Sequence, residues 1–286
     1  MLRHAVILGI GSDIGRELAV RLVEEGWHVT GFHHDDEVSP TLVLWDLVVC
    51  CYGTLEPIGT FWETPVAEWE EGVRANALLP LRHVRALYES RRPGASVCFF
   101  SGAGTGGTAP SYSAYAASKV MLVKMTELLD DESPDLKFFV LGPGIVRTKI
   151  HQQTLRAGER AGNIERVRAL MASCPHWPDC GCGTPNGPHI CTQLPEKTTT
   201  YDDIYECLMA CVAGPKASVG GRNICVHLDD WSRLGELAGD TDRFRLRRAE
   251  DGHLQAADQA HDRIEAARQE IKMGARRAGP RFRMPL

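Results

Sequence analysis

No stretch of the chain approaches the roughly 20 consecutive apolar residues of a transmembrane helix. Even residues 42–52, rich in Leu and Val, are broken by Asp46, so no membrane partner is expected. A full secretory core is missing as well, because the apolar run at residues 5–10 stops at Gly11, Ser12 and Asp13. That run reads as a buried strand, and the protein is expected to be cytoplasmic. No charge of one sign dominates, the formal net charge being −5 in 286 residues. The basic part is the end of the chain, with 11 Arg and Lys against 8 Asp and Glu in residues 240–286. Its bases alternate with acids and few aromatics stand among them, which argues against a nucleic-acid partner. Internal repeats are absent. With 43% hydrophobic and 24% charged residues, what remains is an ordinary soluble globular chain of one large domain or two small ones.

Cysteine, by contrast, is plentiful, at 10 residues. Cys50, Cys51, Cys98 and Cys225 fall on apolar strand patterns, and Cys207 and Cys211 lie four apart on a helical one. Reduced core thiols are expected there. The other four belong to a segment rich in Gly, Pro and His, where Cys174, Cys180, Cys182 and Cys191 accompany His176 and His189. Such donors suit a tetrahedral structural zinc, with Cys174, Cys180, Cys182, His189 and Cys191 as the candidate ligands. The spacing lacks the paired Cys-x-x-Cys of a standard zinc finger. A thiol-bearing loop, and disulfide or redox chemistry, therefore stand beside zinc as readings.

A short apolar run at residues 4–8 leads through glycines into a helical pattern at 14–25, with Ile14, Leu18, Leu22 and Val23 at helical spacing and Gly26 closing it. Further strands are predicted at 27–32, 42–51, 97–100, 137–141 and 223–228. Helices are predicted at 65–90, divided or kinked at Pro80, and at 112–129. Strands alternating with helices imply an α/β protein with a parallel sheet covered on both faces. Periodicity fades between Lys149 and Tyr201, and residues 149–201 read as an insertion too long for a plain connection. Residues 232–286 carry a charged, partly helical pattern and read as an extension beyond a main domain at 1–231.

Two motifs carry chemistry. Gly9, Gly11 and Gly15, with Ser12, Asp13 and Ile14 between them, lie between a strand and a helix. Glycines there let backbone approach a pyrophosphate, whose charge suits the unpaired amides of a helix start; the same residues also suit a plain tight turn. Tyr115 and Lys119 are four apart on a predicted helix, so phenol and ammonium share a face. A cation beside a phenol favours the phenolate and draws its pKa down towards the range of a general acid/base. Without context the pair reads more readily as a solvated helix face than as a catalytic pair.

The order of the glycine turn, Asn76, Ser101, Tyr115-x-x-x-Lys119 and Pro143 to Thr148 supplies that context. In it the chain resembles the short-chain dehydrogenase/reductase family over residues 4–150, and more weakly as far as Trp231. Asn76 and Ser101 precede Tyr115 by 39 and 14 residues, close to the family's pattern. The resemblance implies a Rossmann-like doubly wound sheet, a bound NAD or NADP, and oxidation or reduction of an alcohol/carbonyl pair on a small polar metabolite, such as a sugar or nucleotide-sugar. Tyr115 would exchange the proton, Lys119 would hold the nicotinamide ribose, Ser101 would bond the reacting oxygen, and Asn76 would hold a relay water. Gly9, Gly11, Ser12, Asp13, Ile14, Gly15, Gly53, Pro143, Gly144, Val146 and Thr148 would border the dinucleotide. Gly102, Ser111 and Ser113 leave the register of Ser101 open. A homodimer or homotetramer is implied too.

Three departures qualify the resemblance. Asp13 replaces the middle glycine of the family's phosphate turn and puts an anion near the expected pyrophosphate. Of the family's Asn-Asn-Ala-Gly, which follows a strand, Gly53 alone survives, in Cys50-Cys51-Tyr52-Gly53. Only 27 positions separate Gly26 from Gly53, so one strand-helix unit is expected to be shortened, leaving six strands. His33, His34, Asp35 and Asp36 stand where the adenosine ribose would be read, which leaves NAD against NADP undecided. His151 and Gln152, with Gln153, open the 149–201 insertion, expected to act as a substrate lid. The alternatives to an oxidoreductase are a non-catalytic nucleotide sensor or structural protein of the same fold, and an epimerase or dehydratase that recycles its cofactor.

Overall fold

A computed structural model describes residues 2–40, 44–172, 198–240 and 244–245. The first strand, β1 (His4–Leu8), is buried along its whole length and passes through a tight turn into helix α1 (Asp13–Glu24). Strand β2 (His28–Phe32) returns at the sheet edge, and β3 (Trp45–Cys50) follows. Next come α2 (Val66–Val73), a π-helical turn at Arg74–Leu78 and α3 (Leu79–Leu87), then β4 (Arg91–Phe100), α4 (Ser113–Glu132) and β5 (Lys137–Gly142). Two short helices, α5 (His151–Ala157) and α6 (Ile164–Ala172), precede α7 (Tyr201–Ala213), α8 (Lys216–Val219) and β6 (Asn223–Cys225).

The six strands are all parallel, in the order β2-β1-β3-β4-β5-β6. Because side chains alternate across a strand, each supplies both faces. Ala5, Ile7, Leu47, Val49, Cys98 and Phe139 pack with Leu18 and Leu22 of α1 and Ile204 and Leu208 of α7. Val6, Leu8, Val48, Cys50, Val97 and Phe138 pack on the other face with Val84 and Leu87 of α3 and Leu122 of α4. This is the doubly wound α/β sheet that the pattern predicted, and among the described residues between β2 and β3 there is no helix. The chain leaves β1 towards β2 and then returns to β3 on the opposite side, which opens a crevice at the C-terminal ends of these strands.

Pro80 neither ends nor breaks the long helix. It stands in the first turn of α3, and the misfit is absorbed just before it by the π-helical turn, in which the Leu79 N–H reaches back to the Arg74 carbonyl. Residues 149–201 depart from expectation, since α5 and α6 occupy part of a segment in which periodicity seemed lost. α6 buries Ile164, Val167, Leu170 and Met171 on one face. Strand β6 is shorter than predicted because the Asp229 carboxylate accepts the Cys225 N–H at 2.7 Å and turns the chain. Past Trp231, a 3₁₀ segment at Trp231–Gly239 adds Leu234 and Leu237 to the core, and Arg222 donates to the carbonyls of Leu237 and Asp240. The packed unit runs to Arg245. No helix among the described residues is long and apolar enough to cross a membrane.

Candidate active site

A groove of about 1310 Å³ lies at that crevice. Gly9, Gly11, Ser12, Asp13, Ile14, His33, His34, Gly53, Ser101, Tyr115, Lys119, Pro143, Gly144, Val146, Thr148, His151 and Gln152 all border it. Gly15 and Asn76 do not, and instead act from behind its wall.

The turn after β1 is built to let backbones touch. Gly9 has φ +90°, and a side chain there would press on the backbone of Cys51 and Tyr52; a Cβ on Gly15 would overlap the Gly9 carbonyl. Ser12 caps α1 by accepting the Gly15 N–H at 3.0 Å. The Asp13 carboxylate accepts the Lys149 N–H at 2.6 Å, and the Lys149 ammonium lies 3.6 Å away while donating to the Gly11 carbonyl at 2.9 Å. The Asp13 carboxylate in this turn therefore carries its own counter-charge.

Tyr115 and Lys119, one turn apart on α4, face the groove together, with the ammonium 5.7 Å from the phenol ring centre. Lys119 is 3% exposed and donates to the Tyr52 carbonyl at 3.3 Å. Burial pulls its pKa down to about 8, with the Cys50 and Cys51 thiols acting weakly the other way. Burial also pushes the Tyr115 phenol up to about 12. This reverses the direction expected from the Tyr/Lys spacing, because desolvation of the phenolate outweighs a lysine that is itself held closer to neutrality.

Ser101 and Gly102 both border the groove, with different partners. The Ser101 hydroxyl donates to Asn223 Oδ1 at 3.0 Å, whereas Gly102 packs against the Tyr115 hydroxyl. A Cβ at 102 would overlap that oxygen. Successive residues of an extended chain point opposite ways, so a shift of one residue separates the two roles. The serines held as alternatives are also committed elsewhere: Ser113 accepts the Trp69 N–H at 3.0 Å, and neither it nor Ser111 borders the groove.

Asn76, fully buried in the π-helical turn, accepts the Thr54 N–H and donates to the carbonyls of Thr54 and Gly72, each at 2.9 Å. Its side chain pins the chain that leaves β3 under the groove. Pro80, four residues on, has no N–H to return to the Asn76 carbonyl. Gln153 holds the same loop from the other side, accepting the Leu55 N–H at 2.6 Å. His151 is tied to the Val146 carbonyl at 3.0 Å, and burial lowers its pKa against the opposing effect of that hydrogen bond.

Tyr52, which neither chemical motif contains, also borders the groove. Its hydroxyl reaches the His33 carbonyl at 3.3 Å and His83 Nδ1 at 2.9 Å, closing the side where the strand-helix unit is shortened. The signal was available, since a Tyr stood where the family has an Ala. The His33 ring lies against Gly11, whereas His34 is exposed and 3.9 Å from Asp35. The candidate zinc ligands Cys174, Cys180, Cys182, His189 and Cys191 lie outside the described residues. Among those described, no group of His, Cys, Asp and Glu could hold a metal ion. Cys50, Cys51, Cys98, Cys207 and Cys211 are buried free thiols as expected, and Cys225 is half-buried.

The architecture matches solved structures. A small-chain dehydrogenase in complex with NADPH superposes with a TM-score of 0.61 over 82% of this chain and 99% of its own, at 17% identity. The fold is that of the short-chain dehydrogenases. An oxidoreductase of that family from Burkholderia thailandensis gives 0.60 over 83% and 93%, at 17% identity. The ligand-free aldohexose dehydrogenase of Thermoplasma acidophilum gives 0.59 over 87% and 98%, at 16%. No family model and no curated protein matches the sequence. The likeness to short-chain dehydrogenases is thus carried by tertiary structure.

Proposed function

We propose that the protein is an NAD(P)-dependent oxidoreductase that interconverts a carbonyl and an alcohol on a small polar metabolite. The observation that carries this reading is the Tyr115 phenol seated on Gly102 with the buried Lys119 ammonium one helical turn away, both in a groove headed by a glycine turn. The residues present fit a nicotinamide dinucleotide. The first-turn N–H groups of Asp13 and Ile14 have no intrahelical acceptor and suit an anion such as a phosphate. Lys119 has donors beyond the one given to Tyr52, suited to ribose hydroxyls, and the backbone at Pro143 to Thr148 borders the far end. When bound, the dinucleotide supplies or accepts the hydride.

The chain's own part is proton movement and positioning. Tyr115 donates its proton to the carbonyl oxygen during reduction, and the Lys119 charge stabilises the phenolate left behind. Asn76 and Gln153 keep the Thr54–Leu55 loop in place under the substrate. Ser101, which also borders the groove, keeps its hydroxyl bonded to Asn223 Oδ1.

The test uses two variants. Tyr115→Phe is expected to lose turnover by on the order of 100-fold or more while binding NADH or NADPH as the wild type does in calorimetry. Gly102→Ala is expected to lose turnover comparably, because the new methyl occupies the place of the phenol oxygen. Unchanged turnover in Tyr115→Phe would sink the assignment. A second reading, a dinucleotide-binding protein without catalysis, draws on the Ser101–Asn223 bond and on Asp13; it expects binding with no turnover of any carbonyl.

A further inference from the structure

The Asp13 carboxylate is the feature that the oxidoreductase reading does not absorb. It stands at the first position of α1, only 13% exposed, in the turn where the phosphates of a dinucleotide would lie. Its contacts are the Lys149 N–H at 2.6 Å, the Lys149 ammonium at 3.6 Å and Arg16 at 3.6 Å. Lys149 in turn donates to the Gly11 carbonyl, so one lysine bridges both ends of the turn. Lys149 directly follows Thr148 on the strap that runs from β5 over the groove, and the bridge joins residues 136 apart in sequence. Asp13 and Lys149 both border the groove.

We propose that Asp13 and Lys149 together set the groove's affinity for dinucleotide phosphates, the carboxylate competing with the phosphates for the lysine. This rests on the nicotinamide reading above. Alone, an aspartate at this place would repel a phosphate, since a helix start favours one anion and the two would share it. Lys149 offsets that repulsion, as does Arg16 at the same 3.6 Å, but while paired Lys149 offers the ligand only part of its charge. The pair also ties the strap to the turn, so a ligand with phosphates loosens the strap as it draws the ammonium away, whereas a ligand without phosphates leaves the bridge intact.

The experiment titrates NADH, NADPH and reduced nicotinamide riboside, which has no phosphate, into the full chain by calorimetry. The proteins are wild type, Asp13→Asn, Lys149→Met and the double variant. Asn retains an acceptor for the Lys149 N–H while removing the charge, and Asp13→Ser makes the same test if the Asn protein does not fold. Asp13→Asn is expected to tighten dinucleotide binding on the order of tenfold, and Lys149→Met to weaken it by a similar factor. Lys149→Met should cost more in the Asp13→Asn background than in wild type, because there the lysine is no longer shared. Riboside affinity should be the same in all four. Dinucleotide binding that stays within twofold across the four proteins overturns the inference alone, as does a riboside affinity that moves in step with the dinucleotides. Failure of every protein to bind either dinucleotide overturns the nicotinamide reading itself and this inference with it.

Discussion

Tyr115 and Lys119 show how burial reshapes a pair whose spacing alone suggests a simple electrostatic rule. Both side chains border the same cleft, and in each the loss of water on burial sets the direction of the pKa shift. The Lys119 pKa of about 8 lies below the ordinary 10.5, so between those values the unfolded chain binds a proton that the folded chain has released. Stability therefore rises with pH across that window, and below pH 8 the folded protein carries the full cost of a buried charge. Lys119→Met is accordingly expected to be more stable than wild type at pH 7, by about 1–3 kcal/mol in urea denaturation. The gap should narrow steadily above pH 8; a gap constant from pH 6 to 10 would show that the lysine is not destabilised by its charge. Ser101 teaches a second lesson at this scale. The order of motifs located the end of β4, but the pleat decided that Ser101 turns to Asn223 while Gly102 meets the phenol.

At the scale of elements, strands and long helices were legible because their apolar periods are long and unmixed. The failures have local causes. α5 and α6 are short and flanked by glycines and charges, so the spacing of Ile164, Val167 and Leu170 did not stand out in a window built for longer helices. The π-helical turn left no compositional mark except Pro80, and it is this turn that carries Asn76 into the wall beneath the groove. Asn76→Ala leaves the buried Thr54 N–H without its acceptor and removes three hydrogen bonds. A loss of about 2–3 kcal/mol is expected in urea denaturation, with a raised KM from the loosened Thr54–Leu55 loop. A loss under about 0.5 kcal/mol would mean that other contacts hold that loop.

At the scale of the whole molecule, a six-stranded sheet ends early at β2, and Tyr52, His33 and His83 close the side left by the shortened unit. The opposite side is extended, because Leu234 and Leu237 follow β6 into the core and Arg222 clamps the carbonyls beyond them. A chain ending at Arg245 is therefore expected to melt within a few degrees of the full protein and to bind the same dinucleotide. A chain ending at Asp230 exposes the apolar surface that those leucines cover and is expected to melt lower by roughly 5 °C or more. Equal melting of the two truncated chains would show that the last turn of the core contributes nothing.

The sequence by itself determined the alternation of strands and helices, the missing unit, the glycine turn and the presence of Tyr115 and Lys119 four residues apart, because periodicity and spacing are local properties of a chain. Only the tertiary structure decided that Ser101 bonds Asn223 while Gly102 meets the phenol, that Lys149 answers Asp13 across 136 residues, and that burial pushes the Tyr115 pKa up rather than down. Each of these depends on which distant groups are brought together and how much water they exclude, and neither quantity is written in the spacing of residues along the chain.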